Sequence, residues 1–325
     1  MALFNAATTR MLRGAPISTA IAEYERGLEI ERQIGDRGQV AWMLLNIAFE
    51  YLMIGDPVQA GHRLDEAEPI ATGAAVSQAA LIRAMQRRDE GELESARAQL
   101  EHVVQVYLEA GRGRGYELNV LGEVLMAQGR IDQARTQIER FLALDQPHES
   151  TWYLNGRIAM SRLEVEVGHT ARAEAVVRDA IAICERTHNH LDLVTALATL
   201  AQVLVAERRF GEARVVAETT LGLASHSEET PEWLDARIAR AQARFGSHPE
   251  EIDGALADAQ LALDRARERG LVGPAYEARL AAGTIAAGAH RPAAQAQLRA
   301  LAREADEHGF GLVARKARAT ADRLH

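Results

Sequence analysis

The residues that could do covalent or metal chemistry are few, and their surroundings argue against it. The chain has one cysteine, Cys184, in an apolar helical run. Alone it forms no internal disulfide, and its setting reads as a buried, inert thiol. The one lysine, Lys316, has no glycine-rich loop before it, so neither a Walker-type phosphate loop nor a Schiff-base site is supported. Gly111 to Gly115 (GRGRG) looks like a phosphate loop but follows no strand, and it reads as a flexible connection. His188-Asn-His190 with Asp192 has metal-binding residue types but no HExxH or CxxC spacing, and reads as an exposed loop. Asp65 and Glu66 fall on an exposed helix face, and no Ser/His/Asp or Cys/His set comes together. The expectation is a protein that is not an enzyme and uses no cofactor or metal.

Composition points the same way. Hydrophobic residues make up 47% of the chain but aromatics only 5%, so the core must be built from Ala, Leu, Val and Ile. Abundant alanine with only 8 prolines favours helix over sheet. A formal charge of −9 makes direct nucleic-acid binding unfavourable, because such binding relies on neutralising phosphates. No stretch approaches the roughly 18 apolar residues of a membrane span. The start, MALFNAATTRMLRG, lacks the basic region of a secretory signal. A cytoplasmic protein with no membrane association is expected.

The elements that must position any site are helix pairs. In Leu118 to Leu144 the apolar and small residues are Leu118, Leu121, Gly122, Leu125, Gly129, Ala134, Ile138 and Phe141. That spacing describes two amphipathic helices, a glycine-led turn, and a small residue where the helices cross. The small residue of the second helix recurs at Ala20, Ala60, Ala96, Ala134, Ala173, Ala213, Ala255 and Ala293, at intervals of 36 to 42 residues. Near-equal intervals define a repeat array. Its units are residues 1–38, 39–74, 75–112, 113–150, 151–189, 190–229, 230–271 and 272–309, followed by a capping helix over 310–325.

Local signals mark the pairs. The first uses Phe4, Ala7 and Met11, then Ala20, Tyr24 and Gly27, with breaks at Gly14 and Pro16. Gly55, Asp56 and Pro57 end one helix and start the next. The sixth pair has Arg208 in place of the turn glycine, and the eighth turns at Gly288 to Ala293. In the seventh, Thr230-Pro231 starts one helix, a longer loop surrounds Gly246, and Ser247 to Glu250 reads as a capping box. The last helix places Phe310, Val313, Ala317 and Leu324 inward, and Arg315, Lys316, Arg318 and Arg323 on a solvated outer face.

This spacing resembles the tetratricopeptide repeat, whose pattern is large-x-x-Leu-Gly-x-x-Tyr, then Ala-x-x-x-Phe, then Pro. Leu121, Gly122 and Ala134 match, while Leu118, Leu125 and Ile138 replace Trp, Tyr and Phe, and Pro147 falls one residue late. The repeat here averages about 39 residues against the family's 34, which predicts a second helix and exit lengthened by roughly one turn. The longer repeat is similar to the sensor regions of MalT/LuxR-class and related bacterial regulators, and the resemblance implies an all-α α-solenoid of about eight pairs. It also implies a module for protein or peptide binding, or for a small effector, in signalling or transcription regulation. The first pair begins abruptly at Met1, so ATPase or DNA-binding domains are expected on a partner or parent chain. A constitutive scaffold is the alternative.

By the family's geometry, first helices line the concave surface. The positions left free by stacking are then Trp42, Asn46 and Phe49; Arg88; Tyr116, Asn119 and Glu123; Asn155 and Arg162; and Gln202. Asparagine at such places has both the donor and the acceptor that an extended peptide backbone requires. Each of these residues also has a plain structural reading, as a solvated or inter-helix polar group.

Overall fold

The computed structural model describes residues 9–10, 12–108, 115–144, 146–224 and 230–324. Among them are sixteen α-helices of three turns or more, and they alternate between an inner and an outer layer. The inner members are α2 (Arg37–Met53), α4 (Ala74–Asp89), α6 (Tyr116–Ala127) and α8 (Thr151–Glu166), then α10 (His190–Ala206), α12 (Pro231–Ser247), α14 (Val272–Gly288) and α16 (Gly311–Asp322). The outer members are α1 (Ile17–Ile34), α3 (Pro57–Ala67), α5 (Leu93–Val103) and α7 (Ile131–Leu142), then α9 (Thr170–Thr187), α11 (Phe210–Ala224), α13 (Ile252–Glu268) and α15 (Ala294–Glu307). Phe4, Ala7, Met11 and Gly111 to Arg114 lie outside the described residues.

Seven of the eight expected small residues are buried where helices cross; the exception is Ala293, which is exposed while its neighbour Ala294 is buried in its place. Ala60, Ala96, Ala134, Ala173, Ala213 and Ala255 are fully buried. A Cβ on Gly122 would come within 2.6 Å of Ile138, so only glycine lets α6 and α7 approach this closely. Asp56 accepts a hydrogen bond from the Gln59 amide at 3.0 Å, capping α3 with Pro57 in its first turn. Arg208 (φ 60°) takes the left-handed conformation of the turn glycine it replaces. In the eighth pair that role falls to His290 (φ 55°) rather than Gly288, which lies inside α14.

Three expectations change. Gly246 is not in a loop: α12 runs on to Ser247, and Gly246 receives the Phe210 ring where a side chain would not fit. The capping box does not form either. A 3-10 turn over Pro249–Glu251 leads into α13, Glu251 is the cap residue, and the buried Ser247 hydroxyl has no partner. The extra repeat length is not uniformly in second helices, since α7 has 12 residues and α9 has 18.

Successive inner helices pack on one another, and the array then winds far enough to meet itself. Gly55, after α2, lies against Pro231 at the start of α12 and against Leu271. Gly91, after α4, lies against Val272 at the start of α14. Gly129, after α6, lies against the backbone of Gly311 and Leu312 at the start of α16. Each turn thus touches the inner helix five pairs onward, so five pairs make one closed superhelical turn. Arg269 fastens this seam by donating to the Ile54 carbonyl. The apolar cluster is continuous across it, from Ile17 through Leu118 to Phe310 and Ala321.

The helix α16 is therefore not a simple cap. Leu312, Val313, Ala314 and Ala317 are buried, while Arg315, Arg318 and Arg323 are exposed as expected. Lys316 departs from that face: it turns inward and its Nζ lies 2.6 Å from Glu166 Oε1 on α8. Closure of the turn brings these two together, and a repeat register read pair by pair does not reveal it.

Two predictions follow from the packing. A Cβ on Gly311 would collide with the Gln128 carbonyl oxygen, whereas one on Gly273 would meet only an ordinary contact at 3.5 Å. Gly311→Ala is expected to cost about 1–3 kcal/mol, to enlarge the radius of gyration in small-angle scattering, and to speed acylation of Lys316, with Gly273→Ala as the unaffected control. The second concerns Glu50 on α2, which is 5% exposed. Its Oε2 has no hydrogen-bond partner among the described residues, and burial pushes its carboxyl up to about 8 from 4.5. The folded state keeps a proton that the unfolded chain releases, so this group's contribution to stability falls as pH rises from 4.5 to about 8. Denaturant titrations of Glu50→Gln are expected to lack that decline, which is on the order of a few kcal/mol.

Candidate functional site

The closed turn encloses a lumen walled by the inner helices, and most candidate residues face one another inside it. Three aromatic rings from separate helices meet there. Trp152, in the first turn of α8, lies 4.5 Å from Tyr116 of α6 and 6.1 Å from Phe49 of α2, centroid to centroid. Tyr116 also meets Phe141 edge-on at 6.1 Å. Burial, then the nearby Glu123 carboxylate, pushes the Tyr116 hydroxyl well above the usual tyrosine range.

Beside this cluster, Arg88 of α4 reaches α6: its Nη1 donates to Glu123 Oε2 at 2.6 Å and its Nε to Asp89 Oδ1 at 2.8 Å. Burial works against the Arg88 charge, but Asp89 and Glu123 outweigh it and raise its pKa. Asn119 is fully buried, and its Nδ2 donates to Glu123 Oε1 at 3.4 Å. Its Oδ1 has no hydrogen-bond partner among the described residues.

Asn155 bonds back to the Thr151 carbonyl at 2.9 Å and, with the Thr151 hydroxyl, to Asp192 on α10. Asp192 is 2% exposed, and burial lifts its carboxyl to about 6 despite these bonds. The expected exposed loop here is only partly that. His188 and His190 are exposed, but Asn189 is buried, accepting from the Asp192 amide at 3.1 Å and donating to its carboxylate at 2.6 Å. Capping α10 requires this inward turn. Cys184 nearby is buried, and burial pushes its thiol up to about 12.

Further along the lumen, Arg162 of α8 donates from Nε to the Thr199 hydroxyl of α10 at 3.1 Å, and from Nη2 to Asp235 of α12, also at 3.1 Å. Gln202 bonds the same Asp235, whose carboxyl burial raises above the usual range. Glu277 of α14 and Lys316 of α16 complete the wall. Burial opposes the Lys316 charge, but Glu277 and Glu166 hold its pKa above the ordinary value.

Phe49, Arg88, Tyr116, Glu123, Asn155, Arg162 and Gln202 thus lie half-buried along the inner helices, while Asn119 beside them is sealed at 0% exposure. Trp42 packs on the apolar core, as Phe49, Tyr116 and Trp152 also do, and half-buried Asn46 makes no hydrogen bond to another described residue. Sequence reasoning did not place Trp152, Glu166, Asp235 and Glu277 on this wall, and singled out Asp192 only beside the two histidines. Extending the stripe of Asn155 and Arg162 by helical steps of three and four would have reached Trp152 and Glu166. A separate cleft of about 570 Å³ opens between α5, α6 and α7, where Leu121 and Leu125 form its floor, but it includes none of the candidates.

No family model matches the sequence, and no curated protein does. Solved structures do match in shape. A Rap protein complexed with competence and sporulation factor is 14% identical with a TM-score of 0.64, over 99% of this chain and 96% of that one. NprR in complex with its cognate peptide NprX gives 13% and 0.60 over 99% and 98%, and the apo quorum sensor NprR from B. thuringiensis gives 13% and 0.51 over 100% and 96%. No helix of the described residues is long and apolar enough to cross a membrane. Helix pairing, turn positions and these likenesses agree that the chain is, by fold, a tetratricopeptide-like α-solenoid.

Proposed function

We propose that the chain is a non-enzymatic binding module that holds a short peptide, or an extended segment of a partner protein, in its lumen. The setting is bacterial signal transduction or transcription regulation in the cytoplasm. Two half-buried polar side chains of α8, Asn155 and Arg162, carry this reading, with the rings of Tyr116 and Trp152 beside them. An asparagine amide there has both the donor and the acceptor that an extended peptide backbone requires. The similar proteins named above include complexes with a peptide or factor, and the chain superposes better on NprR with its peptide than on apo NprR, 0.60 against 0.51. ATPase or DNA-binding activity would come from a partner or parent chain.

One observation favours the scaffold alternative. Much of the lumen is paired with itself, through Arg88–Glu123, Arg162–Asp235 and Lys316–Glu166.

The test is a random hexapeptide library panned on the full chain, with affinities of captured peptides read by fluorescence anisotropy. Asn155→Ala and Arg162→Ala are each expected to weaken binding about tenfold or more, the loss of a hydrogen bond to a partly desolvated group. Asn46→Ala tests how far the site extends. Capture that survives these changes, with assembly lost on outer-face changes instead, would favour the scaffold.

A further inference from the structure

The cleft between α5 and α7 lies on the outer surface and plays no part in the lumen. Outer helices pack on inner helices rather than on one another, so a groove runs between these two, above Leu121 and Leu125 of α6. At about 570 Å³ it has the size of a ligand-binding cleft. Its α7 wall is one helix face: Arg130, Gln133, Gln137 and Arg140 follow at steps of three and four. The last three each stand one position ahead of a buried residue, Ala134, Ile138 or Phe141, so the wall rises directly beside the core stripe. The α5 wall adds Arg97, Glu101 and Gln105. Where it borders the cleft, α5 gives way to a π-turn over Val104–Leu108, a rare winding that recurs at functional sites.

The chain carries a formal charge of −9, yet this cleft is lined by three arginines and one carboxylate. That carboxylate, Glu101, is answered by Arg97 at 2.6 Å. Arg140 donates to the neutral Gln137 at 2.9 Å, and it pairs with no carboxylate among the described residues. Arg130 makes no side-chain hydrogen bond or ion pair to a described residue. Glu94 lies within reach of its charge, but Arg97 and Gln128 already bond Glu94. Two cations thus stand at the cleft without a carboxylate of their own. Both are exposed, as are Gln105 and Gln133, whose amides also have no hydrogen-bond partner among the described residues.

Spacing says what shape of anion fits. Arg130 and Arg140 are ten residues apart on one helix face, about 15 Å along its axis. An extended chain covers that distance in four or five residues, and its side chains at positions i and i+4 point to the same side. Each glutamine amide has the donor and the acceptor that a peptide backbone requires. We infer that this cleft binds an acidic peptide segment, extended along Gln133 and Gln137, with acidic side chains four positions apart seated on Arg130 and Arg140. The partner is therefore a protein with an exposed acidic stretch, and it docks outside the lumen.

Two hexapeptide libraries panned on the full chain test this, one with glutamate fixed at the first and fifth positions, the other with glutamine there. The glutamate library is expected to yield the captured peptides, although the charge of the whole chain repels them. In fluorescence anisotropy, the double change Arg130→Gln and Arg140→Gln is expected to weaken captured peptides about tenfold, since an exposed ion pair contributes up to about fivefold. Thr136→Trp, at an exposed position in the same cleft, fills it without touching the core and should abolish binding. Arg299→Gln, exposed on α15, and the lumen changes Asn155→Ala and Arg162→Ala should leave affinity unchanged. Equal capture from both libraries, or none from either, would overturn the inference. So would a loss with Arg299→Gln equal to that of the double change, which would reveal general charge attraction. A loss confined to the lumen changes would place the peptides in the lumen and overturn it too.

Discussion

The interior depends on how closely two backbone segments approach where α16 meets the turn after α6. Gly129, with φ 77°, and Gly311 leave no side chain between them, so the chain can touch itself after five helix pairs. Were either residue larger, the same pairs would stack at a wider pitch. The rings of Phe49 and Trp152 would then separate, as would Lys316 and Glu166. A repeat protein normally behaves as a one-dimensional stack, each unit touching only its neighbours. Here the pitch adds a second set of neighbours, and the lumen is the product.

That enclosure changes what ordinary surface residues do. In an open solenoid the concave charges would be solvated, and pairs such as Arg162 with Asp235 would contribute little. Inside a closed turn they are partly desolvated, so Asp192, Asp235 and Glu277 hold their protons more tightly than free carboxylates. The chain answers some of this charge itself, with Arg88, Arg162 and Lys316.

Local features were legible in the sequence because local physics sets them. Small residues at helix crossings, Asp56 and Pro57 at a helix start, and the turn at Arg208 all involve contacts within about one repeat. That the first helix of each pair would form the inner layer was legible for the same reason. The misreadings share a cause in contacts that spacing does not show. Gly246 resembles a loop residue until Phe210 packs on it. Ser247 and Glu250 have capping spacing, but Pro249 sets a 3-10 turn between them. Lys316 falls with the arginines of an outer face until α8 supplies Glu166, 150 residues away. The pitch that makes the lumen is a sum of small rotations over five pairs, and no single repeat encodes it visibly.

The seam also bears on how the molecule reaches its shape. Contacts within a pair join residues some tens of positions apart, whereas Gly129 and Gly311 are about 180 apart. Contacts of such separation carry a larger loop-closure entropy and form slowly. Folding should therefore run in two phases, a fast growth of helix pairs and a later closing of the turn. Between them the chain exists as an open array whose inner face is wet and accessible. Any molecule present during that interval meets the inner face before it is enclosed, so the order of synthesis, closure and encounter becomes a kinetic variable of its own.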